Sequence, residues 1–291
     1  MGDYPSVFCC KQKVMSKKRK RRTKRKKSSN FKKRIEKFLR NKQGKYAKYI
    51  VVLLTLAFII LVAKGFIFLG KMNGTPTVTD DKIPYPIRGV DVSSYQGKID
   101  WEKIRQQGIA FAYIKASEGK SYVDPEFKHN WYNAGKAGIV RGAYHFMRFE
   151  IDGVSQGQHF VEQMSSTQDT EKMLPPVIDV EFHGKYIKHP PNKENLHQVL
   201  SSMIKTVEKK CGISPVIYTN RHIYTKYING KYNNEIWIAD PDLGERLPSG
   251  KKWLFCQYSI SGKLKGYRGV SSHIDLDVYN GTKYSFVKRF K

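Results

Sequence analysis

The chain has 291 residues, 53 Lys or Arg against 25 Asp or Glu, a formal charge of +28 and four cysteines. That length gives ample chain for a buried core, and so few cysteines exclude a disulfide framework. Nor is the protein uniformly basic: residues 1–48 hold 20 Lys or Arg against Asp3 and Glu36, so 18 of the 28 net charges lie in the first sixth of the chain.

Residues 49–70, "YIVVLLTLAFIILVAKGFIFLG", are apolar apart from Lys64. Twenty-two residues at about 1.5 Å each reach roughly 33 Å, enough for a bilayer core of about 30 Å. A cleaved signal peptide has a shorter basic region and an apolar run of about 7 to 15 residues, and a buried core helix carries a polar face. The stretch therefore reads as an uncleaved transmembrane helix, with Lys64 snorkelling at its far end. Ahead of it lies "KKRKRRTKRKK" (residues 17–27) within the basic tail 1–48. By the positive-inside rule the N-terminus is in the cytoplasm, its basic tail near anionic lipids, and the rest is outside in a periplasm or wall space. Topology accounts for the basic run, so no nucleic-acid partner is expected. The opening "MGDYPS" matches the loose myristoylation pattern by chance. Residues 71–87, rich in Pro, Thr and Asp, read as a linker of at most about 60 Å.

From Arg88 short apolar runs alternate with helix-like stretches. "RGVDVS" is a strand, followed by a helix over 99–108, the strand "AFAYIKA" and a helix opened by Asp124-Pro125 that ends near Ala137 before Gly138. Then come "IVRGAYHF", a helix from about Val154 to Ser165, "PPVIDVEF", an amphipathic helix from about Lys193 to Lys210, and "PVIYTN". The last runs, "EIWIAD", "WLFCQYS" and "IDLDVY", are separated by loops rich in Gly, Pro and Lys. The pattern predicts an α/β fold over 88–291: a modified TIM-like barrel of five β-α units plus three further strands, preceded by the one transmembrane helix.

Within "PPVIDVEFHG", Asp179 and Glu181 stand two apart in an apolar run. On a strand they share a face about 6.6 Å apart along the chain, close enough to raise each other's pKa and far enough apart to flank a bond. Barrels of this kind work at the C-terminal ends of their strands. Asp91, Asp179, Glu181 and Asp275 fall near the ends of strands one, four and eight, so four carboxylates converge on one mouth. Such crowding costs stability unless it serves a function. No zinc-type Cys and His spacing occurs, so neither metal nor cofactor is expected, and one disulfide between Cys211 and Cys256 is left open.

The ordered strings "DVSSYQGKIDW", "KASEG", "YVDPEF", "GAYHF", "PPVIDVE", "VIYTN", "WIAD", "QYS" and "IDLDVYNG", spanning 88–281, resemble glycoside hydrolase family 25, the lysozymes that cut bacterial cell walls. The resemblance implies the same barrel and a muramidase, which hydrolyses the β-1,4 bond from N-acetylmuramic acid to N-acetylglucosamine in peptidoglycan. It implies Glu181 as general acid and Asp179 assisting at the anomeric carbon, directly or by orienting the substrate's N-acetyl group. Asp91 and Asp275 would hold the pair and keep Glu181 protonated. Tyr144, Tyr218, Trp237 and Gln257 are candidates to line the groove; His145, in an apolar strand, reads as a core histidine. Cys256 stands where the family usually has Trp, and Asp277 where Asn is more usual. The rival readings are a membrane-tethered glycan-binding module that does not cut and a scaffold whose tail is the working part. Intact Asp179 and Glu181 argue against the first, and the tail speaks only to topology. A fixed anchor fits a cellular enzyme of local wall remodelling.

Overall fold

A computed structural model describes residue 33 and residues 83–290, apart from 168–172, 245 and 248. The expected transmembrane helix at 49–70 and nearly all of the basic tail lie outside the described residues. Among those described, no helix is long and apolar enough to cross a membrane.

All eight expected strands form. In chain order they are β1 (Arg88–Val92), β2 (Ile109–Glu118), the short addition β3 (Tyr122–Val123), β4 (Val140–Phe146), β5 (Val177–Asp179), β6 (Val216–Asn220), β7 (Ile236–Ala239), β8 (Phe255–Gly262) and β9 (Ile274–Tyr279). From β1 to β8, leaving out β3, neighbours pair in parallel; β9 returns antiparallel between β8 and β1 and closes the barrel. Helices α1 (Trp101–Gln106), α2 (Phe127–Lys136), α3 (Gly153–Ser165) and α4 (Lys193–Cys211) occupy the first four crossovers. The fifth is short: α5 (Arg221–Ile223) runs into a π-helical turn at Tyr224–Ile228. The result is five β-α units and three further strands.

Helix ends follow local chemistry. Asp100, Asp152 and Asn192 cap α1, α3 and α4 by accepting the N–H three residues on, and Gly212, at φ +68°, ends α4 in the left-handed region. The expected start of α2 at Asp124-Pro125 is corrected to Phe127. The Asp124 carboxylate instead accepts from Ser94 N at 2.9 Å and Glu126 N at 3.0 Å, which ties it to the loop after β1.

Strand alternation then sorts side chains into two cores. Outward residues such as Val90, Ile114, Ile178 and Ile217 pack in one cluster with Ile104 of α1, Trp131 of α2, Phe160 of α3 and Leu200 of α4. Inward residues include Phe111, Tyr113, Trp237, Phe255 and Tyr279. Two inward positions must be glycine to admit them: a Cβ on Gly89 would lie 2.3 Å from the Phe111 ring, and one on Gly142 2.4 Å from that of Tyr113. A final helix, α6 (Lys283–Phe290), was not anticipated from the sequence. Its Phe286 and Phe290 join the inner core, with ring centroids 5.8 Å from Phe111 and 6.1 Å from Phe255. Leu254, at the entry to β8, and Tyr279, at the end of β9, belong to the same cluster, so α6 plugs the end of the barrel opposite the strand C-termini.

Candidate active site

At the other end, where the parallel strands finish, a cleft of about 190 Å³ opens. It is smaller than the roughly 300 to 1,000 Å³ of pockets that engulf a ligand. A long polymer fits such a cleft only at the bond being worked on, with the rest of its length outside. Asp91, Asp179, Glu181 and Asp275 all line it, as do Tyr144, Tyr218, Trp237 and Gln257. The fold thus brings together every site residue expected from the sequence.

Each acid arrives by a definable route. Asp91 is the fourth residue of β1 and Asp179 the last of β5. Asp275 enters near the start of β9, because an antiparallel strand presents its N-terminal end at this mouth, and it pairs in register with Asp91. The expected strand "PPVIDVEF" is shorter than anticipated, and Glu181 lies two residues past its end. Extended pairing nevertheless continues: Val180 N donates to Tyr218 O at 2.9 Å, and Thr219 Oγ1 donates to Val180 O at 3.0 Å. With Val180 buried in the outer core, Glu181 falls on the cleft side with Asp179.

A hydrogen-bonded frame holds the acids. Tyr218 OH donates to Gln257 Oε1 at 2.8 Å, which turns the Gln257 amide nitrogen toward Asp91 Oδ2 at 2.8 Å and Asp275 Oδ2 at 3.4 Å. Trp237 Nε1 donates to Asp277 Oδ1 at 2.9 Å while its ring stacks on Tyr113. Tyr218 and Trp237, only 6% and 2% exposed, are therefore walls that brace the acids more than open platforms.

Burial and mutual repulsion raise the acids together. Desolvation is the first cause for each. It is joined by Asp275 and Glu181 at Asp91, by Glu181 and Asp91 at Asp179, and by Asp275 at Glu181; Asp275 itself is pushed up to about 6. Among the described residues the one cation lining the cleft is Lys115, whose Nζ is 2.8 Å from Glu118 and whose charge lowers Asp179. Asp179 Oδ1 is buried and has no hydrogen-bond partner.

His145 and the two cysteines Cys211 and Cys256 do not line the cleft. His145 is fully buried between Ser117 Oγ (2.9 Å) and Gln156 Oε1 (3.3 Å), and burial drives it down to about 3, so it stays a neutral core residue. Cys211 and Cys256 are free thiols. Cys256 points into the outer core with Sγ 3.4 Å from Asp240 O, so the departure there alters packing and leaves the cleft surface alone. Among the described residues no group of three or more His, Cys, Asp or Glu is arranged to hold a metal ion. Lys115 and Phe146 were not singled out in advance; the signal was their position two residues beyond the inward-facing Tyr113 and Tyr144.

Comparison with known proteins agrees with this fold. The sequence matches glycosyl hydrolases family 25 over residues 90–267. It is 32% identical over 212 residues to Lysozyme M1 of Streptomyces globisporus, covering 67% of this chain and 68% of that one. A family 25 glycosyl hydrolase from Bacillus anthracis superposes with a TM-score of 0.64 at 39% identity, covering 73% of this chain and 96% of the other. The bacterial lysozyme of Streptomyces coelicolor does so with a TM-score of 0.62 at 28% identity, covering 72% and 98%. The chain belongs to glycosyl hydrolases family 25, and it is a glycosidase of the lysozyme kind.

Proposed function

We propose that the protein is a muramidase that hydrolyses the β-1,4 bond between N-acetylmuramic acid and N-acetylglucosamine in peptidoglycan, with Glu181 as general acid and Asp179 at the anomeric centre. The observation that carries this reading is the single cleft in which Asp179 and Glu181 face the same space among further acids and almost no positive charge. A proton donor working near neutral pH needs a raised pKa, and Glu181 has one through burial and Asp275.

Which of the pair holds the proton follows from their surroundings. Deeper burial alone favours the neutral form at Asp179. Lys115 opposes this, acting on Asp179 and not on Glu181. The unpartnered Asp179 Oδ1 is placed to accept the N–H of a substrate N-acetyl group, and a hydrogen bond to the charged form favours it. Substrate binding thus puts the negative charge on Asp179 and leaves the proton on Glu181. Asp179 then orients the N-acetyl group toward the anomeric carbon while Glu181 protonates the leaving oxygen.

The same reading places the enzyme at the cytoplasmic membrane, held by residues 49–70, with its basic tail inside and the barrel acting on the wall outside. The apolar run and its flanking charge support that placement.

Purified full chain in detergent and its Glu181→Gln variant are to be incubated with peptidoglycan, and the borohydride-reduced fragments identified by mass spectrometry. Reduced muramic acid from the parent, with a rate loss of about 10² to 10⁴ in the variant, is the expected result. Reduced glucosamine would refute the bond assignment. Undiminished cleavage by the variant would remove Glu181 from its role.

A further inference from the structure

Strand β9 sends Asp275, Asp277 and Tyr279 to the same side, so Asp277 lies one layer beneath the cleft, and it is fully buried. Its Oδ1 accepts the Trp237 indole N–H, and its Oδ2 is buried with no hydrogen-bond partner. Its carboxyl nevertheless adjoins that of Asp91, and each acts on the other's hold on a proton. Opposite Asp277 on β1 is Gly89, which has no side chain to separate the two acids.

Two ionised carboxylates only accept hydrogen bonds and cannot make one with each other. Left ionised, both would also keep like charges together in a buried space. Among the described residues, the titratable groups that act on Asp277 or feel its charge are Asp91 on β1, Asp275 on its own strand, Cys256 on β8, Tyr113 on β2 and Tyr218 on β6, and none of these is a cation. A single proton turns the contact into O–H···O and satisfies the orphaned oxygen at the same time. Each acid accepts one hydrogen bond, Asp91 from the Gln257 amide and Asp277 from the indole, but Asp277 is fully buried and carries the orphaned oxygen whereas Asp91 lines the cleft, so the proton belongs on Asp277.

We propose that Asp277 is a protonated carboxylic acid in the working enzyme, and that its Oδ2–H donates to Asp91 and holds Asp91 as the single anion of the pair. Burial and the neighbouring Asp91 and Asp275 raise the Asp277 pKa in the same sense. Asp277 does not line the cleft, so it is a positioning residue. It orients Asp91, whose charge reaches Asp179 and whose Oδ2 shares the Gln257 amide with Asp275. This role rests on the muramidase reading; the protonation state does not.

The first test needs no substrate. Infrared spectra of the full chain and its Asp277→Asn variant in detergent at pH 7 are subtracted. The expected difference is one protonated-carboxyl carbonyl band present in the parent and missing from the variant, and its absence would overturn the proposal. The second test uses peptidoglycan turnover. Asp277→Ala is expected to lower kcat about tenfold with KM little changed, a loss equivalent to one hydrogen bond in the transition state. Asp277→Asn is expected to restore most of it, because its NH₂ can donate to Asp91 while its oxygen accepts from Trp237. An Asn variant as damaged as the Ala variant would overturn the positioning role. If neither parent nor variant cuts glycan, the infrared result still decides the protonation state, which separates this inference from the proposed function.

Discussion

Replacing Asp275 with Asn should make the barrel more stable at alkaline pH while impairing the enzyme. Folding raises the Asp275 pKa from an ordinary 3.8 to about 6, mainly through burial. Below about pH 4 the group is protonated in both folded and unfolded states and makes no difference. As pH rises from about 4 to beyond 6 the unfolded chain gives up the proton more readily, so stability falls through that window and the full penalty stands above it. A difference of about 2 pH units is worth about 3 kcal/mol; since Asp275 is half-buried at the mouth, screening reduces this to about 1 to 3 kcal/mol. For a barrel of roughly 200 residues this corresponds to about 3 to 9 °C in Tm. Removing the charge also relieves Asp91 and Glu181, both of which Asp275 raises, and so acts in the same direction. Thermal unfolding of parent and Asp275→Asn full chain followed by near-ultraviolet circular dichroism at pH 4 and pH 8 measures it. The variant should match the parent at pH 4 and exceed it at pH 8. An equal difference at both pH values would refute the reasoning, because the effect would then not be ionisation.

Two further outcomes follow from the packing and from the frame around the acids. Tyr218→Phe removes the hydroxyl that fixes the Gln257 amide; with one hydrogen bond worth about 1 kcal/mol, kcat on peptidoglycan should fall about five- to tenfold with the fold intact, and an unchanged kcat would show that the amide is held without it. Phe286→Ala opens a cavity in the plug of the barrel and should cost about 3 to 5 kcal/mol in urea unfolding; a loss under 1 kcal/mol would mean that α6 merely rests on the barrel.

The strands and most helices were legible because their signals are local. Alternation marks each strand, and Asp100, Asp152 and Asn192 mark helix starts in the sequence itself. The carboxylate cluster was legible too, since parity within strands and the barrel rule for strand ends together bring Asp91, Asp179, Glu181 and Asp275 to one mouth. What stayed hidden depends on partners distant in sequence. Asp124 looks like a helix start until Ser94 is seen to occupy its carboxylate. Helix α6 reads as a short basic tail, with Lys283, Lys288 and Arg289 prominent, because the reason for Phe286 and Phe290 is a ring of aromatics contributed by β2, β8 and β9. That Tyr218 and Trp237 line the cleft was legible, but what their hydroxyl and indole N–H do was not, because an aromatic ring in a strand says nothing of its polar partner. Only the positions of Gln257 and Asp277 reveal these rings as braces.

The two ends of this barrel have opposite energetics, and each helps explain the other. At the mouth and in the layer beneath it, four lining carboxyls and Asp277 share a largely desolvated space with one lining cation among the described residues, an arrangement that lowers stability as pH rises but raises the pKa of a proton donor. A fold of marginal net stability can carry that load only if the rest of the interior is well packed. The opposite end supplies this packing, with Phe111, Phe255, Tyr279, Phe286 and Phe290 in mutual ring contact and glycines at 89 and 142 making room for the aromatic side chains above. Burying one such ring is worth about 1.5 to 3 kcal/mol, the same order as the penalty at a single raised acid. The two ends therefore draw on one reserve: a variant with a weakened plug should lose the same number of kcal/mol between pH 4 and pH 8 as the parent, but from a smaller total, so a larger share of its molecules unfolds at pH 8. Combining Phe286→Ala with Asp275→Asn in urea unfolding at pH 8 separates the two ends. They share no contact, so their effects should add to within about 0.5 kcal/mol, and the double variant should recover at pH 8 about 1 to 3 kcal/mol of what the plug mutation removes. A larger non-additivity would mean that the floor of the barrel also sets the geometry of its mouth.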